Sequence, residues 1–246
     1  MSGHSKWHNI AAKKSKTDAA RGAVFTKIGR ELAVAAKGNP NPETNSKLAD
    51  VIAKAKAANM PNDNIKRSIA RAAGELSGKD YKELTYEGYG VAGSAVIIKT
   101  LTDNVNRTSG DISSTMSKCG GQMGKPGCVS YQFDNKGVIV IEKTVALEED
   151  TMMEYCLEAE AEDFVSEDDV YEVYTTPEAF SSVRKYFEDK GVTFLEAEVK
   201  MVPQNTITLP ADKQATFIKM IDKLEELDDV QNVYHNVELP EEDEEE

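Results

Sequence analysis

From Val138 to Lys200 the spacing of apolar residues changes period in a fixed order, and few folds accept that order. Val138 to Glu142 alternates or runs apolar as a strand does, and Leu147 to Glu160 has helical spacing. Asp163 to Val165 and Val170 to Thr175 predict two strands joined by an acidic turn. Pro177 to Lys190 predicts a helix that opens on proline and stops at Gly191, and Val192 to Lys200 predicts a last strand. Strand–helix–strand–strand–helix–strand is the ferredoxin-like plait.

The flanks complete a second copy of that pattern. Before the plait come Tyr86 to Leu101, which contains the strand AVIIKTL, then a helix from Asn104 to Lys118 capped by Asp103 or Asn104. A glycine-rich loop, Gly120 to Gly127, leads to an expected strand at Val129 to Phe133. After the plait come a strand at Thr206 to Leu209, a helix at Asp212 to Leu227 and a strand at Val230 to Val237. Upstream, apolar residues at Val24, Phe25, Ile28, Leu32, Ala35 and Ala36 mark one helix, stopped by Gly38-Asn39-Pro40. Two more helices follow, from Ser46 and from Asn62, separated by Asn59-Met60-Pro61. The expected class is α+β: an N-terminal three-helix domain followed by two ferredoxin-like domains, one inserted into the other. The expected divisions are 1–80 for a basic arm and helices, 81–134 plus 203–238 for the outer domain, 135–202 for the insert, and 239–246 for a disordered acidic tail.

Charge is divided along the chain. Residues 1–80 hold 15 Lys and Arg against 7 Asp and Glu, whereas residues 81–246 hold 14 against 36. A basic head on an acidic body is drawn to polyanions only where the head docks. No apolar run reaches the roughly 18 residues of a membrane helix, and the polar N-terminus is no secretory signal. Three cysteines without tight spacing fit reduced thiols, so a cytoplasmic location is expected.

Several motifs need weighing. Gly88-Tyr89-Gly90-Val91-Ala92-Gly93 matches the dinucleotide fingerprint by letter, but a strand follows it where a helix should open. A loop or hairpin entry is the better reading. Gly124-Lys125 partly resembles a phosphate loop, yet position 119 is Cys and position 126 is Pro. His4 and His8 lack the further ligands of a closed zinc site. Trp7, the single tryptophan, stands among cations. It can stack on an unpaired base, worth about 1–3 kcal/mol, or it can anchor the arm by packing. No catalytic constellation and no cofactor site are evident. The candidate nucleic-acid contacts are His4, Lys6, Trp7, His8, Lys13, Lys14, Lys16, Arg21, Lys27 and Arg30. Gly88, Gly90, Gly93, Gly120, Gly121, Gly124 and Lys125 are candidates for functional loops.

GHSKW near the start, FTK at 25–27, AANMP at 57–61, DNI at 63–65, YEGYG at 86–90, LTDN–NRT across 101–108, KCGG at 118–121 and PGCV at 126–129 together resemble the YebC family over nearly the whole chain. The resemblance implies a helical N-terminal domain and two intertwined α+β domains. It also implies a regulator of gene expression without enzymatic activity or a required metal. Family members are labelled as DNA-binding transcriptional regulators, and others, mitochondrial relatives among them, activate translation on the ribosome and help synthesis of proline-rich stretches. The expected function is a ribosome-associated translation factor that holds ribosomal RNA through its basic N-terminal domain. A regulator bound to promoter DNA is the alternative, and a protein-interaction scaffold a weaker one. Partners are expected to be nucleic acid and the ribosome, with no membrane and no small-molecule substrate, and the chain is expected to be a monomer.

Overall fold

Apolar period marks the helices and the longer strands, and the side chains of Asn45 and Asn104 cap the start of two helices. The structure, a computed structural model, describes residues 18–73, 81–144 and 148–239. Three helices come first: α1 (Asp18–Ala36), α2 (Ser46–Ala57) and α3 (Asn62–Ala73). Then follow β1 (Lys82–Tyr89), β2 (Ala95–Thr102), α4 (Val105–Lys118), β3 (Gln122–Met123) and β4 (Phe133–Glu142). Next are α5 (Glu149–Glu158), β5 (Asp163–Ser166), β6 (Val170–Thr175), α6 (Phe180–Asp189) and β7 (Glu196–Pro203). The chain closes with β8 (Ile207–Thr208), α7 (Ala211–Glu225), β9 (Val230–His235) and β10 (Val237–Glu238). This is the expected α+β class, with an N-terminal helical segment and one α+β domain set within another.

The chain divides into two compact units. The first contains Met1–Val34, Gly74–Asp134 and Val202–Glu246; the second contains Ala35–Ala73 and Asn135–Met201.

In the first unit the sheet order is β3-β1-β2-β9, with β1 antiparallel to β2 and β2 antiparallel to β9. Val96 and Ile98 of β2 pack with Ile112, Met116, Phe217 and Ile221 of α4 and α7 in one apolar core. The fingerprint-like stretch is the hairpin between β1 and β2. Gly90 N donates to Ser94 O at 2.7 Å, and Ala92 and Gly93 both take left-handed backbone (φ 54° and 80°) to close it. Two expected strands are altered. Val129 to Phe133 forms a 3-10 turn over Ser130–Gln132, and β4 begins only at Phe133. The long last strand breaks at Asn236, whose side-chain oxygen accepts Ala95 N at 2.9 Å, leaving β10 to pair in parallel with β8.

In the second unit the order β5-β6-β4-β7 is that of the plait. Ile139, Ile141 and Val173 on one sheet face meet Met152 of α5 and Phe180, Val183 and Phe187 of α6. The opposite face is buried as well, at Val138, Val140, Glu172 and Tyr174. There the Tyr174 hydroxyl donates to the Glu172 carboxylate, so neither polar group is orphaned. Asp50 of α2 accepts Ser181 Oγ at 2.6 Å and the buried Arg184 Nε at 3.0 Å, and Lys54 of α2 meets Glu198 of β7 at 3.3 Å. Asn45 caps α2: its Oδ1 accepts Leu48 N at 3.1 Å, while its Nδ2 donates to Ala35 O and Asn39 O, each at 2.7 Å. Asn45→Ala removes the cap and leaves two carbonyls unserved, so it should cost about 1–2 kcal/mol in chemical denaturation.

Candidate nucleic-acid interface

Two of the expected phosphate contacts are already engaged. Lys27 Nζ donates to Glu225 O at 2.6 Å, at the C-terminal end of α7. Arg30 Nη1 donates to Asp228 O at 2.5 Å and to Asp229 Oδ1 at 3.0 Å, and its guanidinium lies 5.8 Å from the Tyr81 ring centre. Cations belong at a helix C-terminus because the unsatisfied carbonyls there carry partial negative charge. Burial lowers the pKa of Lys27 despite the neighbouring carboxylates of Glu225 and Asp228. Both side chains fasten α1 to the first unit's α/β core.

Asp229 is the centre of that fastening. Its Oδ2 accepts Arg107 Nη2 at 2.7 Å, Arg107 Nε at 3.2 Å, Thr108 Oγ1 at 2.8 Å and Thr102 Oγ1 at 3.2 Å. Arg107 also reaches Asp103 at 2.9 Å. Burial alone would raise the pKa of Asp229; the Arg107 and threonine donors outweigh it and hold the carboxyl below the usual aspartate range. The LTDN–NRT residues therefore serve a buried ion cluster.

A second carboxylate organises the glycine-rich loop. Glu87, buried on β1, accepts Gly127 N through Oε1 at 2.8 Å, and Val129 N and Ser130 N through Oε2, each at 2.9 Å. Burial pushes its pKa up, but the three backbone donors win and the net shift is downward. These bonds use the N–H groups that a strand at Val129 would have given to a ladder, which is why a turn replaces it. Tyr89 Oη donates to Cys128 O at 2.9 Å and pins the same loop.

Several candidate loop glycines are places of close approach. A Cβ on Gly88 would lie 2.5 Å from Gln122 O, one on Gly121 2.9 Å from Tyr89 O, and one on Gly124 2.3 Å from Cys128 Sγ. A Cβ on Gly90 would fall 2.6 Å from Ser94 Oγ. Gly93 and Gly120 serve turns with positive φ. What the loop presents outward is Lys125, with Tyr131 just beyond it at 70% exposure.

Further exposed basic side chains lie on the second unit's helices. Lys56 on α2 and Lys66, Arg67 and Arg71 on α3 are exposed. Arg67 and Arg71 stand one turn apart, about 6 Å along the axis, with Lys66 beside them. Sequence reasoning does not single out these four, although the 66/67/71 spacing is readable as one polar helix side. His4, Lys6, Trp7, His8, Lys13, Lys14 and Lys16 lie outside the described residues, and Arg21 falls in the first turn of α1. Among the described residues no cluster of three or more His, Cys, Asp or Glu could hold a metal ion, and no helix is long and apolar enough to cross a membrane. Burial raises the thiol pKa values of Cys128 and Cys156, the latter to about 11, so neither is an activated nucleophile.

A basic helical segment followed by an α+β domain that carries a second one as an insert is the class of fold seen here. Comparison with known proteins identifies the family. The family model described as the TACO1/YebC second and third domain matches residues 81–237, and that of the TACO1/YebC N-terminal domain matches residues 5–75. The chain belongs to the TACO1/YebC family. A relative from Clostridium tetani, named "Probable transcriptional regulatory protein", is 56% identical over 98% of this chain and 99% of its own length. A relative of the same name from Acetivibrio thermocellus is 58% identical over 96% and 98%. The crystal structure of a conserved hypothetical protein from Aquifex aeolicus superposes with a TM-score of 0.82 at 41% identity, covering 95% of this chain and 96% of that one.

Proposed function

We propose that this chain is a non-enzymatic regulator of gene expression that works on the ribosome as a cytoplasmic monomer. It grips ribosomal RNA phosphates through Lys6, Lys13, Lys14 and Lys16 together with Lys56, Lys66, Arg67 and Arg71. The observation that carries the reading is the exposed cationic side of α3 in a protein of net charge −14. An acidic remainder disfavours arbitrary polyanions, so binding is confined to the basic end. Lys27 and Arg30 orient α1 in this scheme, and Trp7, His4 and His8 are available for stacking or base contact. Lys125 on the stapled loop and Tyr131 in the turn that follows it are an exposed cation and an exposed aromatic, suited to a second contact with unpaired RNA.

Titration of a labelled ribosomal RNA fragment at increasing salt is the test. Roughly six phosphate contacts on duplex RNA give a log–log slope near −5 by analogy with duplex DNA. Reversal of Lys6, Lys13, Lys14 and Lys16 to Glu should flatten the slope by about one for each phosphate no longer neutralised and abolish co-sedimentation with ribosomes. Unchanged slope and co-sedimentation would overturn the reading. The relatives' name favours a second reading, promoter DNA as the target. Crosslinking in cells separates the two by the nucleic acid recovered.

A further inference from the structure

The acidic charge is concentrated in the inserted plait. Residues 135–201 hold 18 Asp and Glu against 6 Lys and Arg. Its helix α5 turns Met152 and Cys156 into the core. The outward side repeats at i, i+3, i+4 and i+7 as Asp150, Met153, Glu154 and Leu157. Met153 is 46% exposed and Leu157 75%, the largest exposure of any long aliphatic side chain among the described residues. Glu149 bonds Ser166 and Glu158 bonds Tyr186 and Lys190, which fixes the rim of this side. Asp150, Glu154 and Glu160 remain exposed around the two apolar side chains.

We propose that this side of α5 is a docking surface for a lysine- and arginine-rich amphipathic segment of a partner protein. Met153 and Leu157 are its apolar anchors, and Asp150, Glu154 and Glu160 pair with the partner's cations. The charge selects the occupant. Carboxylates around the anchors repel nucleic acid and anionic lipid, and they repel the same face of a second copy. A basic helix with an apolar stripe satisfies both parts of the surface at once.

The probe is a fluorescein-labelled 18-residue helical peptide of leucine and lysine; a companion peptide has each leucine replaced by serine at unchanged charge. Anisotropy titrations use the full chain at 150 mM salt. The leucine/lysine peptide should bind at least tenfold more tightly than its companion. Met153→Ser with Leu157→Ser should weaken it about tenfold, since two buried anchors are removed. Asp150→Lys with Glu154→Lys should weaken it comparably and reduce its salt dependence. A photo-crosslinker at position 157 should capture the peptide, and one at exposed position 178 should not. Because the four side chains are exposed, the circular dichroism of both variants should match the parent. Equal binding by the serine double variant, equal binding of the two peptides, or equal capture at 157 and 178 would each overturn the proposal. RNA binding by the serine double variant, which leaves the charge unaltered, should not change, so this result is independent of the nucleic-acid reading.

Discussion

Asp229→Ala should destabilise the first unit by about 4 kcal/mol. The substitution removes one buried carboxylate and strands the groups that converge on it. Arg30, Arg107, Thr102 and Thr108 all lose their common acceptor. Breaking a buried ion cluster from one side costs about 3–5 kcal/mol because the remaining charges stay desolvated without a partner. The partly exposed Arg107 can recover some water, which keeps the figure below the upper end. Asp229→Asn keeps the shape and one acceptor oxygen and should cost about half as much. Chemical denaturation followed by a probe in the α7–β9 region measures both. The pH dependence has a definite sign. The folded pKa is below the ordinary value near 3.8, so this stabilisation is fully present above that value. It fades as acid carries the pH down through the folded pKa.

Glu87→Ala should cost about 3 kcal/mol and release the loop from Gly127 to Ser130. Three backbone N–H groups share this carboxylate. Bonds to a charged acceptor are worth roughly 1.5–3 kcal/mol each but do not add in full. Glu87→Gln is the informative comparison. Its one remaining oxygen can stay with Val129 and Ser130, while the new amide faces Gly127 donor to donor. About half the loss is expected. Hydrogen exchange should show the Val129 and Ser130 amides unprotected in the alanine variant and protected in the glutamine variant. Glu87 follows the same acid rule as Asp229: its contribution holds above the usual glutamate range and disappears as pH falls through its lowered folded value.

These two carboxylates mark the limit of what a single sequence makes legible. The insert is readable because Val138 to Lys200 changes period at every element, and periodicity is local. The helices from Asn104 and Asp212 are readable from caps and apolar spacing for the same reason. The turn at Ser130 is not, because its cause is Glu87, about 40 residues away in the chain. Nor is the engagement of Arg30, whose acceptor lies almost 200 residues further on. Net charge locates the basic end but cannot separate the cations that fasten α1 from those left facing solvent on α3. The glycines of the YEGYG and KCGG stretches draw attention as loops. Their necessity comes from β1 and β3 running side by side, a pairing that no spacing within either segment announces.

The strand AVIIKTL of β2 pairs with β9, about 130 residues further along the chain. During synthesis at about 5–20 residues per second, that apolar strand therefore emerges on the order of ten seconds before its edge partner exists. The second unit is interrupted likewise, its helices made first and its sheet only after residues 74–134 have passed. The second unit has all its parts once residue 201 is made and the first only after β9, so a chain terminated before residue 201 exposes sticky strands in both halves, ready material for a protease.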